Sequence, residues 1–155
     1  MPKTKPITQT KKSIAYYSAI GRRKKAICRI RLYITKRKET KLNGKPLKKG
    51  DFVVNNKFIQ NYFPGLIYQT LYFEPYQLTE STKRFIVLAK ITGGGKKGQL
   101  GAFRLASARA LEKVDSSFRA ILKPKELLRV DARVKERRKA GLAGKARKKR
   151  QSPKR

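Results

Sequence analysis

Gly93, Gly95 and Gly98 have the spacing of a phosphate-binding loop. They lie in ITGGGKKGQL (Ile91–Leu100), after an apolar run, RFIVLAKI (84–91), and before a helix-like run, QLGAFRLASARALEKV (99–114). Strand, G-x-G-x-x-G, helix is the order of a dinucleotide-binding unit, in which backbone N–H groups at the helix N-terminus hold the pyrophosphate. The rest of that unit is missing. It needs a second parallel strand after the helix, ending in the acid that binds the ribose. Glu112 and Asp115 still lie on the helix or at its end, and the following FRAILKPKELL does not read as a strand. A P-loop is excluded as well, because Gln99-Leu100 stand where Lys-Ser/Thr belongs. With Lys96 and Lys97 inside the loop, the anion it suits best is a backbone phosphate of nucleic acid. Glycines kept only for packing are the second reading, and a free nucleotide is the third.

Charge points the same way. The 155 residues include 42 Lys+Arg and 9 Asp+Glu, a net charge of +33. Like charges at that density oppose compaction, so the chain calls for a polyanion. Nucleic acid is the first candidate and an anionic membrane surface the weaker one. No stretch approaches the ~20 apolar residues of a spanning helix. One cysteine, Cys28, and no histidine exclude a disulfide framework and the usual zinc sites, and remove the commonest general base. The expectation is therefore no catalytic residue, no metal site, no cofactor and no small-molecule substrate.

The elements that must position the loop follow from periodicity. Ile14 to Ile34 reads as one long strand carrying the cluster Gly21-Arg22-Arg23-Lys24-Lys25. Within it Cys28, Ile30, Leu32 and Ile34 alternate with Ile27, Arg29, Arg31 and Tyr33, which makes Cys28 a core residue. Thr35 to Gly50 is polar and contains Asn43-Gly44, a tight-turn dipeptide. A short strand over 51–54 ends at Asn55-Asn56, a second turn. Residues 57–72 hold a helix broken near Pro64-Gly65, and 84–91 form the third strand. The clearest helix runs from Gln99 to Val114. Leu100, Phe103, Ser107, Ala110, Leu111 and Val114 share one face, and Arg109 lies opposite. Residues 125–130 add a further helical turn, and 131–140 can be helical.

Residues 1–13 have little to bury and read as a disordered basic arm, neither a secretory signal nor a transit peptide. From Arg129 onwards, thirteen basic residues meet two acids, and no aromatic follows Phe118. Such a tail works through phosphate contacts rather than base stacking. The organisation expected is an arm (1–13), a globular RNA-binding domain (14–128) and an extended basic tail (129–155). No helix-turn-helix, zinc finger or basic zipper is present, so a folded RNA is favoured over a DNA groove.

Three stretches resemble one family. AIGRRKKAICRIRL (19–32), ITGGGKKGQLGAFRLASARALEKVDSSFRAILK (91–123) and LLRVDARVKERRKAGLAGKARKKRQSPKR (127–155) stand in the order and near-spacing of the ninth protein of the small ribosomal subunit, bacterial and organellar type. The resemblance implies an α/β (α+β) two-layer sandwich, with a four-stranded sheet, helices on one face and a left-handed β-α-β crossover. That fold is similar to the second domain of the fifth small-subunit protein. The resemblance also implies a structural, non-enzymatic role in the head of the subunit. The partners it implies are small-subunit rRNA, neighbouring head proteins and the transfer RNA of the P site.

Residue by residue, the resemblance and the charge assign rRNA contacts to Arg22, Arg23, Lys24 and Lys25. They extend to the loop Gly93, Gly94, Gly95, Lys96, Lys97, Gly98 and Gln99, and to Arg104 and Arg109 of the helix. In the tail they cover Arg133, Lys135, Arg137, Arg138, Lys139, Lys145, Arg147, Lys148, Lys149 and Arg150. Lys154 and Arg155 match the family's terminal pair and inherit its contact with P-site transfer RNA. Three departures stand out. Thr35 to Lys49 is an insertion in a hairpin loop, Lys96-Lys97 replaces a less charged pair, and Ser152-Pro153 replaces an aromatic-containing stretch. Abundant Lys, Ile, Asn and Tyr, together with Asn55-Asn56, favour a plastid-encoded protein, with a bacterium as the alternative. A nonspecific nucleic-acid-compacting protein is the competing function.

Binding of RNA by the whole chain should depend steeply on salt. Six to ten phosphate contacts would lower affinity by ~10³ to 10⁵ between roughly 50 and 200 mM salt, and a flat titration would remove the electrostatic account.

Overall fold

The structure, a computed structural model, describes residues 15–35, 39–42 and 44–138. The arm at 1–13 and the tail beyond residue 138 lie outside the described residues. The protein is a mixed sheet with helices packed on it. In place of one long first strand there are two, β1 (Tyr16–Arg23) and β2 (Ala26–Tyr33), paired antiparallel from Tyr16↔Tyr33 to Arg23↔Ala26. The turn is Lys24-Lys25, and Lys24 takes a left-handed φ of 53°. Lysine gives no turn signal, because the left-handed region costs it ~1–2 kcal/mol. The buried set changes from odd positions (Ala19, Gly21) to even ones (Ala26, Cys28, Ile30, Leu32) across the reversal, a break in phase masked by the run of cations from Arg22 to Lys25. Past β2 the alternation ends, and Ile34 is exposed.

Next comes a hairpin of its own, β3 (Glu39–Leu42) and β4 (Lys45–Lys48), with Leu42 paired to Lys45 and Gly44 at φ 77°. Then come β5 (Phe52–Val54) and β6 (Lys57–Phe58). They are joined by Asn55 (φ 47°) and Asn56 (φ 65°), the double left-handed turn that asparagine tolerates. Two helices follow, α1 (Ile59–Tyr62) and α2 (Leu66–Leu78), broken at Pro64-Gly65 as expected, although α2 runs on past Pro75. They lead into β7 (Ile86–Thr92), α3 (Lys96–Val114) and α4 (Phe118–Leu122). Two helix assignments shift. The extra helical turn lies at α4 rather than at 125–130, where reverse turns occur, and Glu126 takes a left-handed φ of 54°. Residues 131–138 are not helical: Arg23 holds the backbone carbonyls of Asp131 and Arg133 from outside.

The sheet order is β1-β2-β7-β5-β6, five strands rather than four, the fifth being the two-residue β6. β5 runs parallel to β7, and β6, α1 and α2 connect them. One face bears the main core, where Cys28, Ile30, Leu32, Phe52, Val54, Val87 and Ile91 meet Phe63, Tyr72, Tyr76, Phe103, Leu111 and Leu122 of the helical layer. On the other face the β3–β4 hairpin lays Leu47 against Tyr33, Val53, Ile86 and Leu88, a smaller second core. Among the described residues no helix is long and apolar enough to cross a membrane.

The helix α3 sits close on β1. A Cβ added at Gly21 would overlap the carbonyl oxygen of Ala102 and lie 2.6 Å from the amide nitrogen of Ala106. Both obstacles are backbone, which cannot rotate away. Gly21→Ala should therefore destabilise the fold by about 3 kcal/mol, lowering Tm by roughly 6–12 °C. Thermal unfolding followed by circular dichroism measures it.

Candidate nucleic-acid interface

The glycine loop and the Lys24-Lys25 turn form one surface. Gly93 (φ 70°) and Gly94 (φ 64°) lie in the left-handed region and pack on the end of the first hairpin. A Cβ on Gly93 would strike the carbonyl oxygen of Lys25, and one on Gly94 would lie 2.9 Å from the Cβ of Ala26. Gly95 is different. Its backbone is extended (φ −104°, ψ 172°) and its Cβ position is open, so neither conformation nor packing demands glycine there.

Gly95 precedes the first turn of α3, which has no side-chain cap and no acid. Lys96 and Lys97 occupy positions where the helix dipole favours carboxylates, an arrangement that an external anion would relieve. Lys96 also folds back. Its Nζ donates to the carbonyl of Tyr62 (2.9 Å) and lies 4.6 Å from the Tyr62 ring centre. Lys97 stays exposed.

Gln99 braces the loop from inside: Nε2 donates to the Gly93 carbonyl (3.1 Å), and Oε1 accepts from the Tyr62 hydroxyl (3.0 Å). Asn55 holds the preceding strand by donating to the Ile91 carbonyl (2.9 Å) and accepting from the Ile91 amide (2.9 Å). These two side chains fix the loop without covering it. The turn dipeptide hides this role of Asn55, and its place beside β7 emerges only once β5 and β7 pair.

A cleft of about 840 Å³ continues the surface from Arg22 and Arg23 across Gly101 and Arg104 to Lys125, Arg129 and Arg133. Arg104 pairs with Glu74 across to α2. Arg23 bonds Asp131 at the start of the tail (2.8 Å), and Arg133 grips the same carboxylate at 2.7 Å. The guanidinium and amide of Arg133, with the nearby charge of Arg23, hold the Asp131 carboxyl well below the usual carboxylate range. A depressed folded-state value supplies stability that is fully present above the ordinary aspartate range and lost only as pH falls through the lowered value. The contact therefore persists at neutral pH.

Arg109 lies apart, donating to the Ile20 carbonyl of β1 (3.1 Å), and Lys113 donates to that of Ser18 (2.7 Å). Arg22, Lys24, Lys25, Lys135, Arg137 and Arg138 are exposed. Lys139, Lys145, Arg147, Lys148, Lys149, Arg150, Lys154 and Arg155 lie outside the described residues.

Three cations were legible but unassigned. Arg29 and Arg31 alternate with the core residues of β2, and Arg29 stands directly across from Lys90 of β7. All three are exposed, and like charges paired across strands disfavour the fold. Even if every one of the nine acids neutralised a cation, 33 positive charges would remain. Cys28 is buried, which pushes its thiol up to about 12 and leaves it inert as a nucleophile. Among the described residues no cluster of acids and cysteine could hold a metal.

A family model described as Ribosomal protein S9/S16 matches residues 21–155, taking in the hairpin turn, the glycine loop and the tail. The chain belongs to this family. Its members are structural ribosomal proteins rather than enzymes. The chain is similar to the "Small ribosomal subunit protein uS9" of Leifsonia xyli subsp. xyli, with 43% identity over 139 residues, 89% of this chain and 74% of the relative. That of an Arthrobacter strain is 41% identical over the same length and shares. That of Methylacidiphilum infernorum is 44% identical over 96 residues, 62% of this chain and 71% of the relative.

The two neighbouring glycines separate phosphate approach from packing. Gly94→Ala should lower Tm by several degrees, because it strains φ and presses on Ala26. Gly95→Ala should leave Tm within about 2 °C yet weaken RNA binding, since only an incoming phosphate meets its Cβ. Equal RNA affinity in Gly95→Ala and the parent protein, by filter binding, would assign the loop to packing alone.

Proposed function

We propose that the chain is a structural constituent of the small subunit of a bacterial-type ribosome. It binds head-region rRNA through the edge formed by the Arg22–Lys25 turn, the glycine loop and the tail root. The observation that carries this reading is the joining of those three segments, far apart in sequence, into one cationic surface around an uncapped helix end. Relatives named as small-subunit proteins support it. They are bacterial; composition and the Asn55-Asn56 turn support the finer reading, a plastid ribosome. Sedimentation of the tagged protein from lysate at moderate and high salt tests the assignment. Comigration with a small subunit at both is expected, whereas spread over bulk nucleic acid and loss at high salt would mean nonspecific compaction.

The tail reaches P-site transfer RNA. Residues 141–155, if extended, span on the order of 50 Å at ~3.3 Å per residue. Arg155 offers a planar five-donor fork for phosphate, and Lys154 a second charge. Deleting residues 151–155 should leave subunit assembly intact and weaken P-site binding only modestly, because exposed charge-assisted contacts are screened. Arg155→Glu is the sharper variant, reversing charge at constant length. Wild-type transfer RNA binding by such subunits at low magnesium would remove the terminal arginine from the decoding site.

A further inference from the structure

Arg23, at the end of the first hairpin, reaches into the tail root. Nη1 donates to the carbonyls of Asp131 (3.1 Å) and Arg133 (2.9 Å), while Nη2 meets the Asp131 carboxylate at 2.8 Å. These partners lie 108 and 110 residues downstream. Asp131 is tied in turn to Arg133, accepting from its amide at 3.0 Å and from its guanidinium at 2.7 Å. The base of the contact is firm, because Arg23 ends β1, pairs with Ala26 across the turn, and rests its stem beside Gly101 of α3. The guanidinium fork spreads its donors over two nitrogens to reach the carbonyls on one side and the carboxylate on the other, a spacing that a compact ammonium does not offer.

We infer that Arg23 is a positioning residue for the C-terminal tail, locking residues 131–133 onto the first hairpin and so fixing the direction in which the chain beyond them leaves the body. The consequence for transfer RNA rests on the tail reading proposed above. If residues 141–155 run extended, as that reading has them, a ~50 Å reach swings its tip by roughly 9 Å for each ~10° of rotation at its root. A fixed root confines the tip to a smaller volume and raises its effective concentration at its target.

The test uses the full chain with spin labels on cysteines introduced at Lys90 and Arg137, both exposed; buried Cys28 stays unlabelled. Pulsed electron resonance should give a narrow distance distribution in the parent protein, at least twofold broader in Asp131→Asn and in Arg23→Lys. Arg23→Lys keeps the net charge and loses only the fork. Asp131 stands at the surface, so Asp131→Asn decides alone should Arg23→Lys unfold. Unchanged width overturns the lock.

Small subunits reconstituted with each variant supply the second readout. Asp131→Asn makes the chain more positive, so a tail acting by charge alone would bind P-site transfer RNA as tightly or more tightly. A misaimed tail binds several-fold more weakly. Broadening with weaker binding supports both readings. Broadening with unchanged binding upholds the lock and overturns the tail's role at transfer RNA.

Discussion

The constraint on which the rest depends is the close approach of α3 to the first hairpin. Gly21 lets the helix backbone reach β1, and Ala26 lies against Gly94. Small residues at these crossings are not a passive absence of bulk. They bring the N-terminus of α3, the glycine loop and the Lys24-Lys25 turn to one end of the sheet. A larger side chain at Gly21 or Gly94 would meet α3 backbone or Ala26 and strain this approach. The positive edge of the protein is thus brought together by close packing of small residues, and some of its cations are themselves bonded within the fold.

Much of this was legible in the sequence. The glycine loop with its flanking strand and helix, the broken helix at Pro64-Gly65 and the Asn55-Asn56 turn all follow from local chemistry that the fold obeys. What escaped was set by contacts distant in sequence. The Lys24-Lys25 reversal is unfavourable locally and is held by strand pairing on both sides. The non-helical course of 131–138 depends on an arginine more than a hundred residues earlier. Within the site, the residue types were read correctly as cationic, but type alone cannot tell a cation that faces outwards from one already taken. Arg104 is bound to Glu74, Arg109 to a β1 carbonyl and Lys96 to the α1 backbone. Arg29, Arg31 and Lys90, whose outward direction was implied by strand alternation, face solvent.

The β3–β4 hairpin has a physical role that its polar composition conceals. Leu47 is its main apolar anchor, and Tyr33, Val53, Ile86 and Leu88 of the sheet receive it. The outer face of the sheet is thereby divided: β5 and the first half of β7 are covered, while the half bearing Arg29, Arg31 and Lys90 remains open. A hairpin that covers apolar residues and leaves cations uncovered adds stability without diminishing the surface that RNA would use.

The carbonyls of Ser18 and Ile20, held by Lys113 and Arg109, bear on how the chain behaves before it has any partner. β1 is the outermost strand of its sheet, and such a strand is ordinarily a template on which another copy can add. Here two cations from the protein's own helix occupy acceptors on that strand. A second strand would have to displace both charged groups and would meet a like-charged molecule as it did so. On this edge, the free chain is therefore guarded against edge-to-edge addition by the same kind of side chain that would serve it on RNA.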